Sequence, residues 1–373
     1  MKRWPTKTLG EVLELSRERI EPAEHPDTPF NYIGLESIEG HSGKLLPYQS
    51  TPGAEIKSTK NIFHPGEILY GKLRPYLNKV HLASAEGICS TDIYVLRPRQ
   101  RQIHPSFAAN YLRSPSVLAV VSNAMAGANL PRIGQDALLG IPVPVPPLAE
   151  QERIVKLLDE TDDLRKLRAQ ADRRTAALIP ALFHQMFGDP ATNSKGWPVK
   201  PFGELASNQD GRRKPVRASD RAKRKGKFPY YGASGIIDYV EAYLFDETAL
   251  LIGEDGANLL ARSTPIAFLA HGKYWVNNHA HVVTDNGNAD LNYLCAALNL
   301  RDFADYVTGS AQPKLNQANL NRMPIQVPPV PLQKEFAQRV TEIRGLEAEQ
   351  AASGRRFDDL FQSLLHRAFN GEL

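Results

Sequence analysis

The stretch from Ile141 to Leu164, IPVPVPPLAEQERIVKLLDETDDL, decides the fold of this chain. A proline-rich strap runs directly into a segment whose apolar residues follow a helical period. The same arrangement recurs 182 residues later in MPIQVPPVPLQKEFAQRVTEIRGL, from Met323 to Leu346. Ungapped agreement extends over about sixty residues and pairs Gln151 with Gln333 and Phe187 with Phe369. A repeat of this length indicates a tandem duplication.

A second match supports the duplication. RWPTKTLGEVLE from Arg3 aligns with GWPVKPFGELAS from Gly196 at an offset of 193 residues, so the second copy is 11 residues shorter before its strap. Each half therefore holds one strand-rich domain followed by one long helix. We predict an α+β fold with domains at residues 1–147 and 189–330, and long helices at residues 148–188 and 331–373.

The two predicted helices carry apolar residues at both positions of a heptad seam. The predicted pairing residues are Ile154, Leu157, Leu164, Leu178 and Leu182, with Phe336, Ile343, Leu346, Phe357, Leu360 and Leu364. One stripe alone would fit an ordinary core helix, but two matching stripes favour an intramolecular coiled coil. Because the halves are duplicated, we expect a pseudo-two-fold arrangement in which the helices run antiparallel and separate the domains. Pro180 should kink the first helix near its end.

Composition places the chain among globular proteins with more than one core, since it has 373 residues. No apolar run is long enough to span a membrane, and the N-terminal sequence lacks the apolar core of a signal peptide. Cys89 and Cys295 lie far apart, which favours a reducing compartment, and we expect the cytoplasm. The net charge of +4 is mild, so its distribution matters more than its size.

The positive charge concentrates in the second predicted domain. Residues 211–227 contain nine Lys or Arg and one Asp, and two tyrosines follow shortly after. Such a loop suits contact with phosphates and bases, although a solvated charged loop would have the same composition. The candidate DNA contacts are Arg212, Arg213, Lys214, Arg217, Lys223, Arg224, Lys227, Tyr230 and Tyr231.

The first domain has a sparser counterpart in AEIKSTKNIFHPGEILYGKLRPYLNKV. Its candidate contacts are Lys57, Lys60, Lys72, Arg74 and Lys79. GEILYGKLRPYL predicts a β-hairpin with a basic turn, and a hairpin with merely solubilising charges fits equally well. GAN at Gly127 and GSAQPK at Gly309 occupy equivalent places in the two halves, which adds Asn129, Gln312 and Lys314 to the candidates.

Catalytic motifs do not emerge from the sequence. There is no GxxxxGK[ST] loop, no methyltransferase tetrapeptide and no GxSxG elbow. His279 and His281 could hold a metal from one side of a strand, but no third ligand has convincing spacing, so we predict no metal site. Asp27, Glu55 and Lys57 fit the loose pattern of metal-dependent nucleases, although Asp27 lies in a predicted loop. A nuclease and a coiled-coil scaffold without DNA binding are the alternative functions.

Several motifs together point to one family. The two straps, with EIKSTKNIFHPGEILYGKLRPYLNKV, GICSTDIYVLRP, YYGASGIIDYV, LIGEDGANLLAR and GSAQPKLNQANL, make residues 4–373 resemble the specificity (S) subunit of type I restriction-modification systems. The resemblance implies two target-recognition domains, each reading half of a split target in double-stranded DNA, and no catalytic centre.

The resemblance also implies partners. Two modification (M) subunits would dock on the straps and helices, carry S-adenosylmethionine and methylate adenine. Restriction (R) subunits, where present, would use ATP and magnesium. No cofactor is expected in this chain, and no base-contacting residue carries over by motif because the recognition domains vary within the family.

Overall fold

The computed structural model describes residues 4–127, 129–309 and 312–372. The chain forms two compact units, which we call unit 1 (Met1–Leu167 with Ser353–Leu373) and unit 2 (Arg168–Ala352). Each unit thus contains one globular domain, the beginning of one long helix and the end of the other. The domain boundaries given above assign each helix as a whole and stay a prediction.

Unit 1 is built around short strands. Its strands are β1 (Thr6–Thr8), β2 (Leu13–Leu15), β3 (Arg19–Ile20), β4 (Pro29–Phe30), β5 (Tyr32–Ile33), β6 (Thr51–Pro52), β7 (Lys60–Phe63), β8 (Ile68–Gly71), β9 (Val80–Leu82), β10 (Gly87–Cys89), β11 (Ile93–Pro98) and β12 (Pro142–Pro144). Its short helices are α1 (Leu9–Val12), α2 (Pro105–Leu112), α3 (Pro115–Ala124) and α4 (Gln135–Leu139). The first long helix follows as α5 (Leu148–Ala176) and α6 (Leu178–Phe187).

Unit 2 repeats the arrangement. Its strands are β13 (Val199–Pro201), β14 (Ala206–Asn208), β15 (Lys225–Gly232), β16 (Gly235–Val240), β17 (Phe245–Asp246), β18 (Ala249–Gly253), β19 (Ala267–Ala270), β20 (Lys273–Val276), β21 (Ala280–Asp285) and β22 (Pro324–Gln326). Its helices are α7 (Ala218–Ala222), α8 (Asn258–Ala261), α9 (Leu291–Leu300), α10 (Gln317–Arg322) and the long α11 (Val330–Asn370).

Sheet order confirms the duplication. The four-stranded antiparallel sheet β2-β11-β8-β9 of unit 1 has its counterpart in β14-β21-β18-β19 of unit 2. The straps β12 and β22 pair with β1 and β13 in the same register, so that Pro142 faces Thr8 and Pro324 faces Pro201. Proline is tolerated here because each strap belongs to a two-stranded sheet in which every strand is an edge.

Two buried glutamines tie the long helices to the straps that precede them. Gln151 and Gln333 are fully buried. Gln151 Nε2 donates to Pro146 O at 2.8 Å, and Gln333 Nε2 donates to Pro328 O at 2.7 Å. Each Oε1 accepts a backbone N–H, from His104 and Asp290 respectively. These bonds fix where each helix starts, because a buried amide must satisfy its polar atoms within the protein.

The end of each long helix contributes a phenylalanine to a core. In unit 1, Phe369 packs edge-on against Phe107 at a ring distance of 5.2 Å. In unit 2, Phe187 packs in the same way against Phe336 at 5.2 Å. The two helix segments of unit 1 run antiparallel, since Arg165 pairs with Asp358 whereas Ile154 shares a core with Ala368.

Burial agrees with one heptad position of the predicted seam better than with the other. Ile154 and Phe336 are fully buried, and Leu182, Ile343, Phe357 and Leu364 are half-buried. Leu164 and Leu346, however, are 47% and 51% exposed. Leu178 and Leu360 are also exposed, and Leu157 is half-buried.

The buried stripe instead continues four residues after each first position. Leu158 and Arg165 take that place in α5, and Val340 and Phe361 take it in α11. Residues at i+3 and i+4 lie on either side of residue i on a helix of 3.6 residues per turn. Tertiary packing therefore decides which of the two is buried.

Proline interrupts the first long helix as predicted. The helix ends at Ala176 and resumes at Leu178, so Pro180 lies in the first turn of α6, where a missing N–H costs nothing. Among the helices that the structure describes, none is both long and apolar enough to cross a membrane.

Candidate nucleic-acid interface

The basic turn of unit 1 lies in the hairpin β8–β9. Ile68 pairs with Leu82 and Tyr70 with Val80, so a hairpin is present. Its second strand begins only at Val80, and the part of GEILYGKLRPYL after the glycine forms the 3-10 helix Pro75–Leu77 instead of the predicted strand. Arg74 is exposed and has a left-handed backbone (φ +49°), and Lys72 lies with its ammonium 5.2 Å from the centre of the Tyr94 ring. Lys79 Nζ donates to Leu35 O at 2.6 Å, so its charge also holds the turn in place.

The remaining lysines predicted in unit 1 differ from each other. Lys57 is exposed and stays a candidate contact. Lys60 is 7% exposed, and its ammonium donates to Ser58 O and Oγ. Burial lowers the pKa of Lys60, with a smaller opposing effect from the Glu21 charge. The Lys60 side chain therefore stabilises the local backbone, and because it is buried it is a poor candidate for DNA contact.

Equivalent loops carry Asn129 in unit 1 and Gln312 and Lys314 in unit 2, and all three side chains are exposed. Backbone bridges join Arg132 to Leu73 and Ala126, and in the same way join Lys314 to Asp255 and Thr308. The GAN and GSAQPK motifs thus occupy equivalent places. Ala128, Ser310 and Ala311 within these motifs lie outside the described residues.

About half of the basic stretch in unit 2 is neutralised internally. Arg212 pairs with Glu247 at 2.6 Å, and Arg224 pairs with Glu241 at 2.8 Å. Arg213 is half-buried between Glu254 at 2.6 Å and Asp210 at 3.3 Å. Arg221 and Lys225 both pair with Asp238, whose pKa they and the Tyr239 backbone N–H hold at about 2. The partners lie on β16, at the end of β18 and in nearby turns, so the fold brings them to the loop.

Four cations of the same stretch have no ion-pair partner among the described residues. Lys214, Arg217, Lys223 and Lys227 are all exposed. The Lys214 carbonyl accepts a hydrogen bond from Trp275 Nε1 at 2.6 Å, which fixes the backbone while the ammonium faces solvent. These four residues are therefore the strongest candidates for phosphate contact among those that the sequence predicted in unit 2.

The two tyrosines that the sequence predicted as DNA contacts are not exposed. Tyr230 is 1% exposed, and its hydroxyl accepts a hydrogen bond from Val216 N at 2.9 Å. The prediction that Tyr230 contacts DNA is therefore wrong. Its buried side chain instead holds the basic loop in place through Val216. Tyr231 is half-buried against Tyr274 and Phe268, which leaves only part of its ring accessible.

Sequence reasoning missed an exposed apolar surface on the neighbouring strand β16. Ile236, Ile237 and Tyr239 are 47%, 53% and 49% exposed. Tyr243 follows and lies under the Lys273 ammonium at 4.8 Å. Rings and aliphatic side chains beside free cations could stack on or pack against bases. The signal was present in GIIDYVEAY, where apolar residues are too frequent for a solvent-facing strand.

A cluster in unit 2 brings together three groups that could ligate a metal: Asp210, Glu254 and His281. His281 Nδ1 lies 2.6 Å from Asp210 Oδ2, and His281 Nε2 lies 2.7 Å from Leu315 O. Because a carbonyl oxygen can only accept, His281 Nε2 donates to Leu315 O, and Nδ1 faces the Asp210 carboxyl group. The third ligand that the sequence lacked for His281 thus exists in space, whereas His279 pairs separately with Asp255 at 2.7 Å.

Cations already occupy the carboxylates of this cluster. Besides Arg213, the Lys314 ammonium lies 3.1 Å from Glu254. Burial works to raise the pKa of Asp210 and of Glu254. The hydrogen bond and electrostatic effect of His281, with the Val282 backbone N–H, outweigh burial and lower the pKa of Asp210. Arg213, His281 and Lys314 together lower the pKa of Glu254. A divalent ion would have to displace Arg213, so the arrangement fits an ion-pair network that fixes three loops better than a metal centre.

The residues of the nuclease pattern, Asp27, Glu55 and Lys57, lie outside the strands that the structure describes, so no strand positions them. Asp27 lies in a turn, and Glu55 lies in a short 3-10 helix held beside it by the bond from Ala54 N to Pro26 O. Within residues 4–127, 129–309 and 312–372, the only group of three acidic, histidine or cysteine ligands is the one in unit 2.

Comparison with known proteins identifies the family. Residues 1–172 and 194–351 match the family described as the type I restriction modification DNA specificity domain, and the chain belongs to this family. A putative type I restriction enzyme specificity subunit of Haemophilus influenzae is 38% identical over 152 residues, which cover 40% of this chain and 38% of that protein. The EcoDI specificity subunit of Escherichia coli is 33% identical over 157 residues, or 42% of this chain and 34% of the relative. The chain therefore matches little more than a third of the length of these curated relatives.

Solved structures share the fold over the whole chain. One chain from a study of complex assembly and conformational transition of the type I restriction-modification system has a TM-score of 0.66 at 20% identity, covering 99% of this chain and 98% of that one. The type I system S subunit from M. genitalium has a TM-score of 0.59 at 16% identity, covering 98% and 96%. These identities are low, so the similarity establishes the α+β fold with two repeated domains.

Proposed function

We propose that this chain is the DNA-recognition subunit of a type I restriction-modification complex and has no catalytic centre of its own. One observation carries the proposal: two copies of one scaffold present different side chains at equivalent positions. Lys72, Tyr94 and Arg132 in unit 1 correspond to Glu254, His281 and Lys314 in unit 2. Equivalent backbones whose side chains differ in charge suit the reading of two unrelated half-sites in one bipartite target.

Surface charge supports DNA as the ligand. Exposed cations without ion-pair partners among the described residues occur in both units, at Lys57 and Arg74 in unit 1 and at Lys214, Arg217, Lys223 and Lys227 in unit 2. Phosphate contacts of this kind position a protein on a duplex, while side chains such as those of β16 can contact base edges. The nuclease alternative has no assembled site, and the scaffold alternative leaves these cations without a role.

The partners belong to the same proposal. Two M subunits would bind the straps and the long helices and would carry S-adenosylmethionine, and R subunits would supply ATP- and magnesium-dependent steps where they exist. Four large apolar side chains on the long helices are exposed: Leu164, Leu178, Leu346 and Leu360. They suit such protein contacts, because exposed apolar surface often marks a site where another protein binds. The complex would act in the cytoplasm.

The test is a map of methylated adenines in cells that express this chain with its M subunit. We expect a single bipartite motif, and no methylation when either subunit is omitted. Purified chain should bind the duplex that carries this motif and leave it intact in magnesium. Magnesium-dependent cleavage that disappears in Glu55→Ala would overturn the proposal and favour the nuclease.

A further inference from the structure

Unit 1 contains a cleft that is lined by positive charge. The cleft measures about 490 Å³ and lies beside β8 and β11, with Arg17, Arg19, Lys72, Asn61, Tyr94 and Gln135 in its wall. No carboxylate contributes to the wall among the residues that the structure describes. Arg17 and Arg19 were not among the residues that the sequence singled out.

The cations of the cleft remain uncompensated within the protein. The side chains of Arg17 and Arg19 are exposed, and neither has an ion-pair partner in the described parts of the chain. Glu18 lies between them in sequence, but its carboxylate accepts from Arg97 at 2.7 Å and contacts His64 at 3.0 Å. Asp92 is paired with Arg132 at 3.5 Å, and Asp136, whose charge acts on Tyr94, lies outside the cleft wall. Three cations thus face one cavity without an anion.

Backbone equivalence shows what unit 2 has at the same place. Ser16 N donates to Val95 O at 2.9 Å, and Gln209 N donates to Val282 O at 2.8 Å, so Arg17 corresponds to Asp210 one residue further on. Lys72 N donates to Asp92 O at 3.0 Å, and Glu254 N donates to His279 O at 2.9 Å, so Lys72 corresponds to Glu254.

The charges at these two positions are reversed between the units. In unit 2 the carboxylates of Asp210 and Glu254 compensate Arg213, Lys314 and His281 from within. In unit 1 both positions carry cations, so the cleft can accept an anion from outside. Arg and Lys are the residues that proteins use most for phosphate, and several converging on one pocket select an anion strongly.

We propose that the cleft at Arg17, Arg19 and Lys72 binds a backbone phosphate of the target DNA, an inference that rests on the proposed function. Unit 1 is then anchored at the ends of its sheet strands, whereas unit 2 contacts phosphates through Lys214, Arg217, Lys223 and Lys227 on its exposed loop. The two copies of the scaffold therefore contact DNA phosphates through different parts of their surface.

The experiment uses a DNA duplex that carries the motif found by mapping methylated adenines. It measures the affinity of the full chain for this duplex at several salt concentrations. Replacing Arg17, Arg19 and Lys72 by Ala should lower the slope of log K against log salt by roughly one unit, as expected for the loss of one phosphate contact. Arg17→Lys with Arg19→Lys and Lys72→Arg should retain the slope. Arg17→Asp with Lys72→Glu, which gives unit 1 the charges of unit 2, should weaken binding most.

Controls separate this inference from the proposed function and from a general effect of charge. If the unaltered chain fails to bind the duplex, the proposed function itself fails. If it binds and the triple Ala variant keeps its slope, only the phosphate cleft is overturned. An equal drop in Lys44→Ala, an exposed cation outside the cleft wall, would also overturn it.

Inorganic phosphate distinguishes the source of the anion. At matched ionic strength with chloride, phosphate should raise the melting temperature of the chain only slightly, and the triple Ala variant should lose that rise. Strong stabilisation by free phosphate together with an unchanged slope for DNA would assign the cleft to a small anion and contradict the DNA contact.

Discussion

The residues that follow β8 in unit 1 and β18 in unit 2 make equivalent backbone hydrogen bonds, but their side chains carry opposite charges. Tyr94 donates its hydroxyl to Ile133 O, and His281 at the equivalent position donates Nε2 to Leu315 O. Next to them stand Lys72 in one unit and Glu254 in the other. The comparison teaches that hydrogen bonds of the scaffold survive while charges change, so that specificity can diverge without loss of the fold.

The largest effect should come from the phenylalanines at the helix ends. Phe187→Ala should destabilise unit 2, and Phe369→Ala should destabilise unit 1, each by about 3–5 kcal/mol because a buried ring is removed. Hydrogen exchange resolved by peptide would show which unit opens. Leu164→Ala and Leu360→Ala are matched controls on the exposed face and should stay within about 0.5 kcal/mol. A large loss in these controls would restore the predicted heptad seam.

Loss of a carboxylate in the unit 2 cluster should rank next. Asp210→Ala leaves Arg213 and His281 partly uncompensated in a buried place, and we expect about 3 kcal/mol of destabilisation. Arg17→Ala is the equivalent change in unit 1 and should be nearly neutral, since that side chain is exposed. Thermal unfolding of both variants is the measurement. Equal effects would mean that the two positions are not as different as their charges suggest.

A smaller effect should separate free from paired cations in the basic loop. Lys214→Ala with Arg217→Ala should lower the salt slope of DNA binding by about two units. Arg221→Ala with Arg224→Ala, whose charges are neutralised by Asp238 and Glu241, should hardly change it. If the paired arginines change the slope as much as the free cations do, these ion pairs open when DNA binds.

Much of this organisation could be predicted from the sequence, because it depends on local pattern. The straps, the hairpin at β8–β9 and the break before Pro180 each follow from residues close together in the chain. The neutralisation of Arg213 could not be predicted, since Glu254 reaches it only through the topology of β18 and β21. Nor could the exposure of Leu164 or Leu360, because a helical period does not choose between i+3 and i+4.

The smallest expected effect is a pH dependence of the buried carboxylate cluster in unit 2. The pKa values of Asp210 and Glu254 are lowered in the folded chain, so their contribution to stability is present above the ordinary carboxyl range and is lost as pH falls through the folded values. Below about pH 4, unit 2 should therefore be less stable than at neutral pH. Asp210→Asn with Glu254→Gln should flatten this part of the profile. A profile that the double variant leaves unchanged would place the titrating groups elsewhere.

The most direct test of the central claim replaces one target-recognition domain by the other. Residues 199–326 can be grafted in place of residues 6–144, because the strand pairs at both ends have the same register. Methylated adenines would then be mapped in cells with the M subunit, for the original chain and for the graft. If each unit reads its own half-site, the original motif has two different halves and the grafted chain recognises two copies of one half. A graft that stays active on the original motif would contradict the account.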